Sequence, residues 1–151
     1  MLPFEIKGFP MPPSANVLYA NSPQGGRFKT AKYKQYETQA QIWIYKNGHQ
    51  LITAQEQIKS LKHGEVLSVE RDFYFRSDRI ISSKGTPLKN DTSNRIKALD
   101  DILSKMLGID DSYFWDGKFK KNPSPHISLG EYVDIRFKAI KIRNHTTDQD
   151  A

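Results

Sequence analysis

KNDTSNRIKALDDILSKMLGIDD, residues Lys89 to Asp111, carries the clearest helical periodicity in the chain. At 100° per residue, a helix over Ser93–Gly108 gathers Ile96, Leu99, Ile102, Leu103, Met106 and Leu107 on one side, which must face a core. Asn94, Lys97, Asp101 and Lys105 gather on the other side in a single polar stripe. Gly108 ends the helix where a left-handed residue is wanted. Asp91 precedes the helix; Asp110 and Asp111 follow it. The helix alone would hold Asp91 and Asp111 roughly 20–25 Å apart. They can share a site only if the chain folds back after Gly108, and spacing alone does not decide that.

Outward from this helix, Glu65–Arg76 alternates as a long strand. Val66, Ser68 and Glu70 oppose Leu67, Val69 and Arg71, then Phe73 and Phe75. Ser77–Asn90 is polar and irregular. Tyr113–Lys121 reads as a strand and Asn122–His126 as a proline-containing turn. Glu131–Ile142 alternates through Val133, Ile135, Phe137, Ile140 and Ile142, and its change of phase predicts a bulge near Ala139. Leu2–Gly8 reads as a short strand, ended by the prolines of Pro10–Asn16, and Asn21–Gly26 as a loop. Thr30–Lys46 reads as a helix capped by Thr30 and stopped at Asn47-Gly48. Thr53 with Glu56 forms a capping-box pattern, which predicts a second helix over Thr53–Leu61. Strands and helices are mixed, so the expected class is α/β (α+β). We expect one small domain over residues 1–143, with a mixed sheet packed with helices. Residues 144–151 are polar and read as a disordered tail.

The composition fits an ordinary globular domain of 151 residues, 37% hydrophobic and 26% charged. There is no cysteine, which excludes disulfides and zinc–thiolate sites. The opening MLPFEIKGFPMPP is broken by prolines and reads as neither a signal peptide nor a membrane span. A cytoplasmic protein with no membrane partner is therefore expected. Lys and Arg number 23 against 17 Asp and Glu, a net charge of +6. A basic domain suits a polyanion, because each neutralised phosphate releases condensed counterions. Many basic domains nonetheless bind no nucleic acid.

The acidic residues of the 89–111 stretch suit phosphodiester hydrolysis. That reaction needs an activated water and a stabilised leaving oxygen, and one or two Mg²⁺ ions supply both. Mg²⁺ takes hard oxygen ligands and keeps several waters, so a few carboxylates suffice. Asp91, Asp101, Asp110 and Asp111 are the candidates, with Lys97 beside them to hold the scissile phosphate. The same residues also fit plain structural roles. Asp91 or Ser93 fits a helix cap, Lys97 and Asp101 an i,i+4 surface pair, and Asp110-Asp111 a turn.

Asp91-x-x-Asn94-x-x-Lys97-Ala98-x-x-Asp101, followed by Gly108-Ile-Asp110-Asp111-Ser112, resembles the RusA family of Holliday junction resolvases. Gly8-x-Pro10-x-Pro12-Pro13-Ser14-x-Asn16-x-x-Tyr19 resembles that family's opening motif, and Arg27-x-Lys29 with the helix after it continues the match. The resemblance spans Pro3 to Ile142. It implies a RusA-like fold and a homodimer, each subunit placing one acidic site on a four-way DNA junction resolved by paired nicks. It implies a metal-dependent endodeoxyribonuclease of DNA recombination and repair, using Mg²⁺ with Mn²⁺ as substitute and no small-molecule substrate. The implied setting is bacterial or phage-encoded, in the cytoplasm and associated with the nucleoid. Carried over by position, Asp91 matches the first essential aspartate, Asp111 the aspartate after the helix, and Lys97 the essential lysine. Asp101 and Asp110 match further acidic positions, with Asp110 a further metal ligand. One position departs: where the family has its second aspartate, this chain has Ser93. A hydroxyl is a much weaker Mg²⁺ ligand than a carboxylate. With Asp101 or Asp110 filling the gap the enzyme is active; with one metal held weakly it cuts slowly; with the site silent, the chain is a non-catalytic junction-binding protein. A nuclease with broader branched-DNA specificity uses the same site.

DNA contacts are expected from Arg27, Lys29 and Lys32, from Asn94 and Lys97, and from Lys118 and Lys120, which share a face if they lie on one strand. Phe114 and Trp115 are divided between base stacking and core packing, since strand neighbours face opposite ways. Tyr36, Ala40 and Trp43 share a helix face, read as core or dimer interface. His49, His63, His126 and His145 are scattered, and no pair has metal-ligand spacing.

Overall fold

β4 (Glu65–Phe75) is buried on both sides over Val66–Val69 and alternates between buried and half-buried from Glu70 to Phe75, and it lies at the centre of the sheet. The computed structural model describes residues 1–143; the expected tail, 144–151, lies outside the described residues. β7 (Tyr132–Lys141) runs antiparallel along one edge of β4, and β1 (Phe4–Pro10) runs antiparallel outside β7. β5 (Phe114–Asp116) and β6 (Phe119–Pro123) follow one another along the other edge, both parallel to β4. The sheet is therefore mixed and the class is α+β. A separate hairpin pairs β2 (Tyr19–Asn21) with β3 (Arg27–Lys29).

One sheet face carries Leu67, Val69, Phe73, Phe75, Val133, Ile135 and Phe137, all buried. α1 (Ala31–Lys46) and α2 (Gly48–Lys59) pack on β1, and α4 (Ile96–Leu107) packs on α2. α3 (Ser77–Ile80) is a single turn within the polar stretch after β4. Tyr36, Ala40 and Trp43 are buried in the core beneath α1, as are Leu99, Ile102, Leu103, Met106 and Leu107 beneath α4. The opposite sheet face carries Glu70, Asp72, Tyr74, Tyr132, Asp134 and Arg136, all half-buried. Among the described residues no helix is long and apolar enough to cross a membrane.

Four features of the elements depart from expectation for reasons the packing makes plain. α2 begins at Gly48, directly after Asn47, rather than at Thr53. Packing of Leu51 and Ala54 against the core holds the extra turn, and Thr53 and Glu56 are merely exposed helical residues. The bulge predicted near Ala139 is absent: β4 and β7 pair without a break from Glu65↔Lys141 to Tyr74↔Tyr132. Ile140 changes phase because it lies opposite Val66, on the other face of the sheet from Phe137. The strand expected over Tyr113–Lys121 is two strands, split at Gly117-Lys118. Gly117 has φ 147°, and a Cβ there would lie 1.6 Å from the Val69 carbonyl oxygen. Only glycine allows the backbone this close. Asn122 and Pro123 belong to β6 rather than to a turn, the proline ending an edge strand where no ladder donor is required.

A bulge does occur in β1, where the register with β7 slips between Ile6 and Phe9 and Gly8 takes φ 66°. Backbone groups released from the ladder need partners. Lys7 N–H donates to Gln50 Oε1 of α2 at 2.8 Å, and Lys7 C=O accepts from Trp43 Nε1 of α1 at 3.2 Å. Gly8 N–H donates to Asp134 Oδ1 of β7 at 2.8 Å.

Candidate functional site

α4 opens with a 3-10 turn, Thr92–Arg95, so Asn94 stands ahead of the helical stripe rather than within it. Asp91 precedes this turn and is exposed, and neither Asp91 nor Ser93 caps a backbone N–H. The carboxylate oxygens of Asp91 accept instead from Ser93 Oγ at 2.9 Å and Asn94 Nδ2 at 2.6 Å. The serine that stands where an aspartate was expected thus orients Asp91 and adds no charge beside it. Lower on α4, Lys97 and Asp101 form an i,i+4 pair at 3.8 Å, with the lysine well exposed.

The chain does fold back after the helix. Gly108 is left-handed at φ 68°, and Ile109 N–H closes on Ser104 C=O at 3.1 Å. A 3-10 turn, Asp111–Tyr113, packs against α4 and leads into β5 beside Leu67. Asp110 caps this turn: its Oδ1 accepts from Ser112 N–H at 2.9 Å, and that bond holds its carboxyl below the ordinary value. Asp111 is left exposed at the start of the turn.

Asp100 was not singled out by sequence, yet it sits at the electrostatic centre of the group. Arg71, itself buried, donates to both of its oxygens, from Nε at 3.1 Å and from Nη2 at 2.9 and 2.8 Å. The third arm of Arg71 reaches the Val69 carbonyl at 3.0 Å. Burial pushes the Asp100 carboxyl above its ordinary value against the pull of Arg71, and the charges of Asp111 and Asp101 add to the push. Asp101 also acts on Tyr33, whose hydroxyl is raised first by burial and next by its neighbour Tyr19. The signal for this pair was present in β4. An arginine in phase with Leu67, Val69, Phe73 and Phe75 must enter the core side of the sheet, and there it requires a carboxylate.

Asp111 and Asp101 thus both act on Asp100, while Asp91 keeps to its bonds with Ser93 and Asn94. Among the described residues no three His, Asp or Glu side chains converge to hold a metal. This donor set suits a hard, hydrated ion held by one or two exposed carboxylates and water, not a closed protein cage.

The expected basic contacts fall into two groups. Arg27 and Lys29 lie on β3, Arg27 over the Tyr19 ring at 5.0 Å and Lys29 paired with Glu37 at 3.0 Å. Lys32 is exposed on the first turn of α1. These stand on the helical side of the molecule. Lys118 acts on Glu70, and Lys120 lies beside Asp72, so both belong to the sheet face turned away from α4. The structure does not bring those two lysines to the carboxylates. Phe114 packs edge-on to Phe137 at 6.2 Å, whereas Trp115 is 57% exposed. His49, His63 and His126 are exposed, and His145 lies outside the described residues.

The two stretches that carried the resemblance meet in space. Arg95 Nη1 donates to the Pro12 carbonyl at 2.7 Å, and the 3-10 turn Ala15–Val17 packs against both Thr92–Arg95 and α4. No family model matches this chain, and no curated protein matches it.

Proposed function

We propose that this protein is a metal-dependent endonuclease of branched DNA, acting on four-way junctions as a homodimer. One observation carries the reading. The chain returns after Gly108 so that the charge of Asp111 acts on Asp100, next to Asp101 on the helix whose entry holds Asp91. Asp91 and Asp111 would hold Mg²⁺ or Mn²⁺, with Asp101 and Asp110 beside them. When bound, such an ion supplies an activated water and neutralises charge on the leaving oxygen. The chain's own residues supply the rest. Ser93 and Asn94 fix the Asp91 carboxylate. Arg71 locks Asp100, the neighbour of Asp101 on the helix. Lys97, exposed and only loosely paired at 3.8 Å, is free to turn to a phosphate oxygen.

The test is a nicking assay with a mobile four-way junction and a matched linear duplex, in Mg²⁺, Mn²⁺ or EDTA. Symmetric, metal-dependent nicks in the junction are the expected result. A tight junction complex that is never cut with any metal would sink the enzyme reading. That second reading, a junction-binding protein without catalysis, is favoured by the hydroxyl at Ser93 and by the lack of a three-carboxylate group among the described residues. Ser93→Asp separates the two. On the enzyme reading the variant cuts at a rate within about tenfold of the wild type; a silent native site would instead gain about 10²-fold or more.

A further inference from the structure

Away from the carboxylates, a cavity of about 580 Å³ opens between the proline-rich loop after β1, the first turns of α1, and the segments around α3 and Thr92–Arg95. Lys32, Arg79 and Arg95 line it, with Glu131 as the one acidic residue in its wall. Glu131 is already engaged: it pairs with Arg79 and accepts from Arg76 N–H at 3.1 Å. Among the described residues, neither Lys32 nor Arg95 forms an ion pair with Glu131.

Three further features show that this positive charge is not satisfied within the fold. The described residues contain two buried side-chain polar atoms with no hydrogen-bond partner, Tyr36 Oη and Arg95 Nε, and both residues line this cavity. The Arg95 guanidinium is anchored on one arm only, to the Pro12 carbonyl at 2.7 Å. Arg79 and Arg95 also share one aromatic ring, standing 5.8 and 5.4 Å from the centre of Phe75. Two like charges over one ring repel, and Arg95 is correspondingly easier to deprotonate than an ordinary arginine, through burial first and the Arg79 charge second. An anion in the cavity would engage the free arm of the Arg95 guanidinium and offset its repulsion from Arg79.

We propose that this cavity binds a phosphate group of the DNA strand, held between Lys32, Arg79 and Arg95. Arginine suits the task because its planar fork matches two phosphate oxygens. Arg95 directly follows Asn94, so the bound phosphate is on the same turn that orients Asp91. The cavity then fixes the register of the strand relative to the carboxylates. This rests on the nuclease reading for its purpose but not for its chemistry.

The experiment uses the full chain and three probes: inorganic phosphate, a linear duplex and a four-way junction. Phosphate binding is followed by NMR at the arginine Nε–H and backbone amides. DNA affinity is followed by anisotropy across a salt series. Lys32→Gln, at an exposed position with no ion pair, should weaken DNA binding about tenfold and reduce the salt slope by about 0.9. Arg95→Gln should do at least as much, and phosphate should shift the Arg95 signals of the wild type only. Lys59→Gln, on α2, is the control and should leave the slope unchanged. Wild-type affinity and slope in both cavity variants, with no phosphate-induced shift, would overturn the proposal. Loss of phosphate binding with unchanged DNA affinity would overturn the DNA assignment, leaving a site for a small free phosphate compound. DNA binding that depends on the cavity without cutting in any metal keeps this proposal and removes the nuclease reading. Cutting that ignores both variants does the reverse.

Discussion

The two faces of the sheet carry their charges differently. On the open face Arg136 reaches Glu70 at 2.9 Å and Asp72 at 2.8 Å, and Tyr74 stacks on Tyr132 with ring centres 4.7 Å apart. On the helical side the grouping is uneven: Asp111 and Asp101 both act on Asp100, while Arg71 pairs with Asp100 and Lys97 holds Asp101 loosely at 3.8 Å. A charge already matched by a fixed partner has little to offer a ligand. On the reading proposed above, an exposed acid without a fixed partner is where a cation would bind. The contrast separates charges that shape the sheet from charges available for chemistry.

The largest effects should fall on the uneven side. Asp111→Asn or Asp91→Asn should reduce metal-dependent junction cutting by about 10³-fold or more while leaving the melting temperature close to wild type. Cutting that survives either change would break the contrast at its strongest point. Next comes Arg71→Met, which strands a buried carboxylate and should destabilise the fold by about 3–5 kcal/mol in chemical denaturation. Arg71→Met with Asp100→Leu should recover most of that loss, since the pair is then replaced by apolar packing. The smallest effect belongs to Arg136→Gln on the open face, where solvent screens the pair and the melting temperature should fall by only about 1–3 °C.

Acidity sharpens the same comparison, because the two faces titrate with opposite sign. Hydrogen bonding from Arg136 holds Glu70 below its ordinary value. Its stabilising contribution is present above that ordinary value and fades as pH falls through the lowered one. Burial holds Asp100 above its ordinary value. Its contribution is present below the ordinary value and is lost as pH rises through the raised one. Arg136→Gln should therefore flatten the acid limb of a melting profile and leave the limb governed by Asp100 in place.

Much of the architecture was legible where one rule acted alone. The apolar stripe of α4, its left-handed end at Gly108, the cap at Thr30 and the centre strand β4 all follow from period and local chemistry. The bounds failed where a second element decided the outcome. Tertiary packing extended α2 back to Gly48, and the close approach of Gly117 to Val69 cut one expected strand into two. At the candidate site, the carboxylates were visible as residue types, but their grouping depended on the return after Gly108. Asp100 lay beside the polar stripe and drew no notice, because its role is set by Arg71, 29 residues away in the chain. Lys118 and Lys120 were read by charge and strand alternation, which put them on one face but do not say which face of the sheet that is.

The bulge at Lys7-Gly8 bears on how this molecule opens. Its amide and carbonyl are held by side chains of two different helices, and the next amide by the neighbouring strand. Neither helix can lift from the sheet without releasing one of these bonds, and β1 cannot peel away without releasing all three. In hydrogen exchange the Lys7 amide, though near an edge strand and close to the chain start, should thus be protected nearly as long as the centre of β4. The N-terminal strand is a clasp between the layers, and its bulge should open among the last parts of the domain, just before the centre of β4.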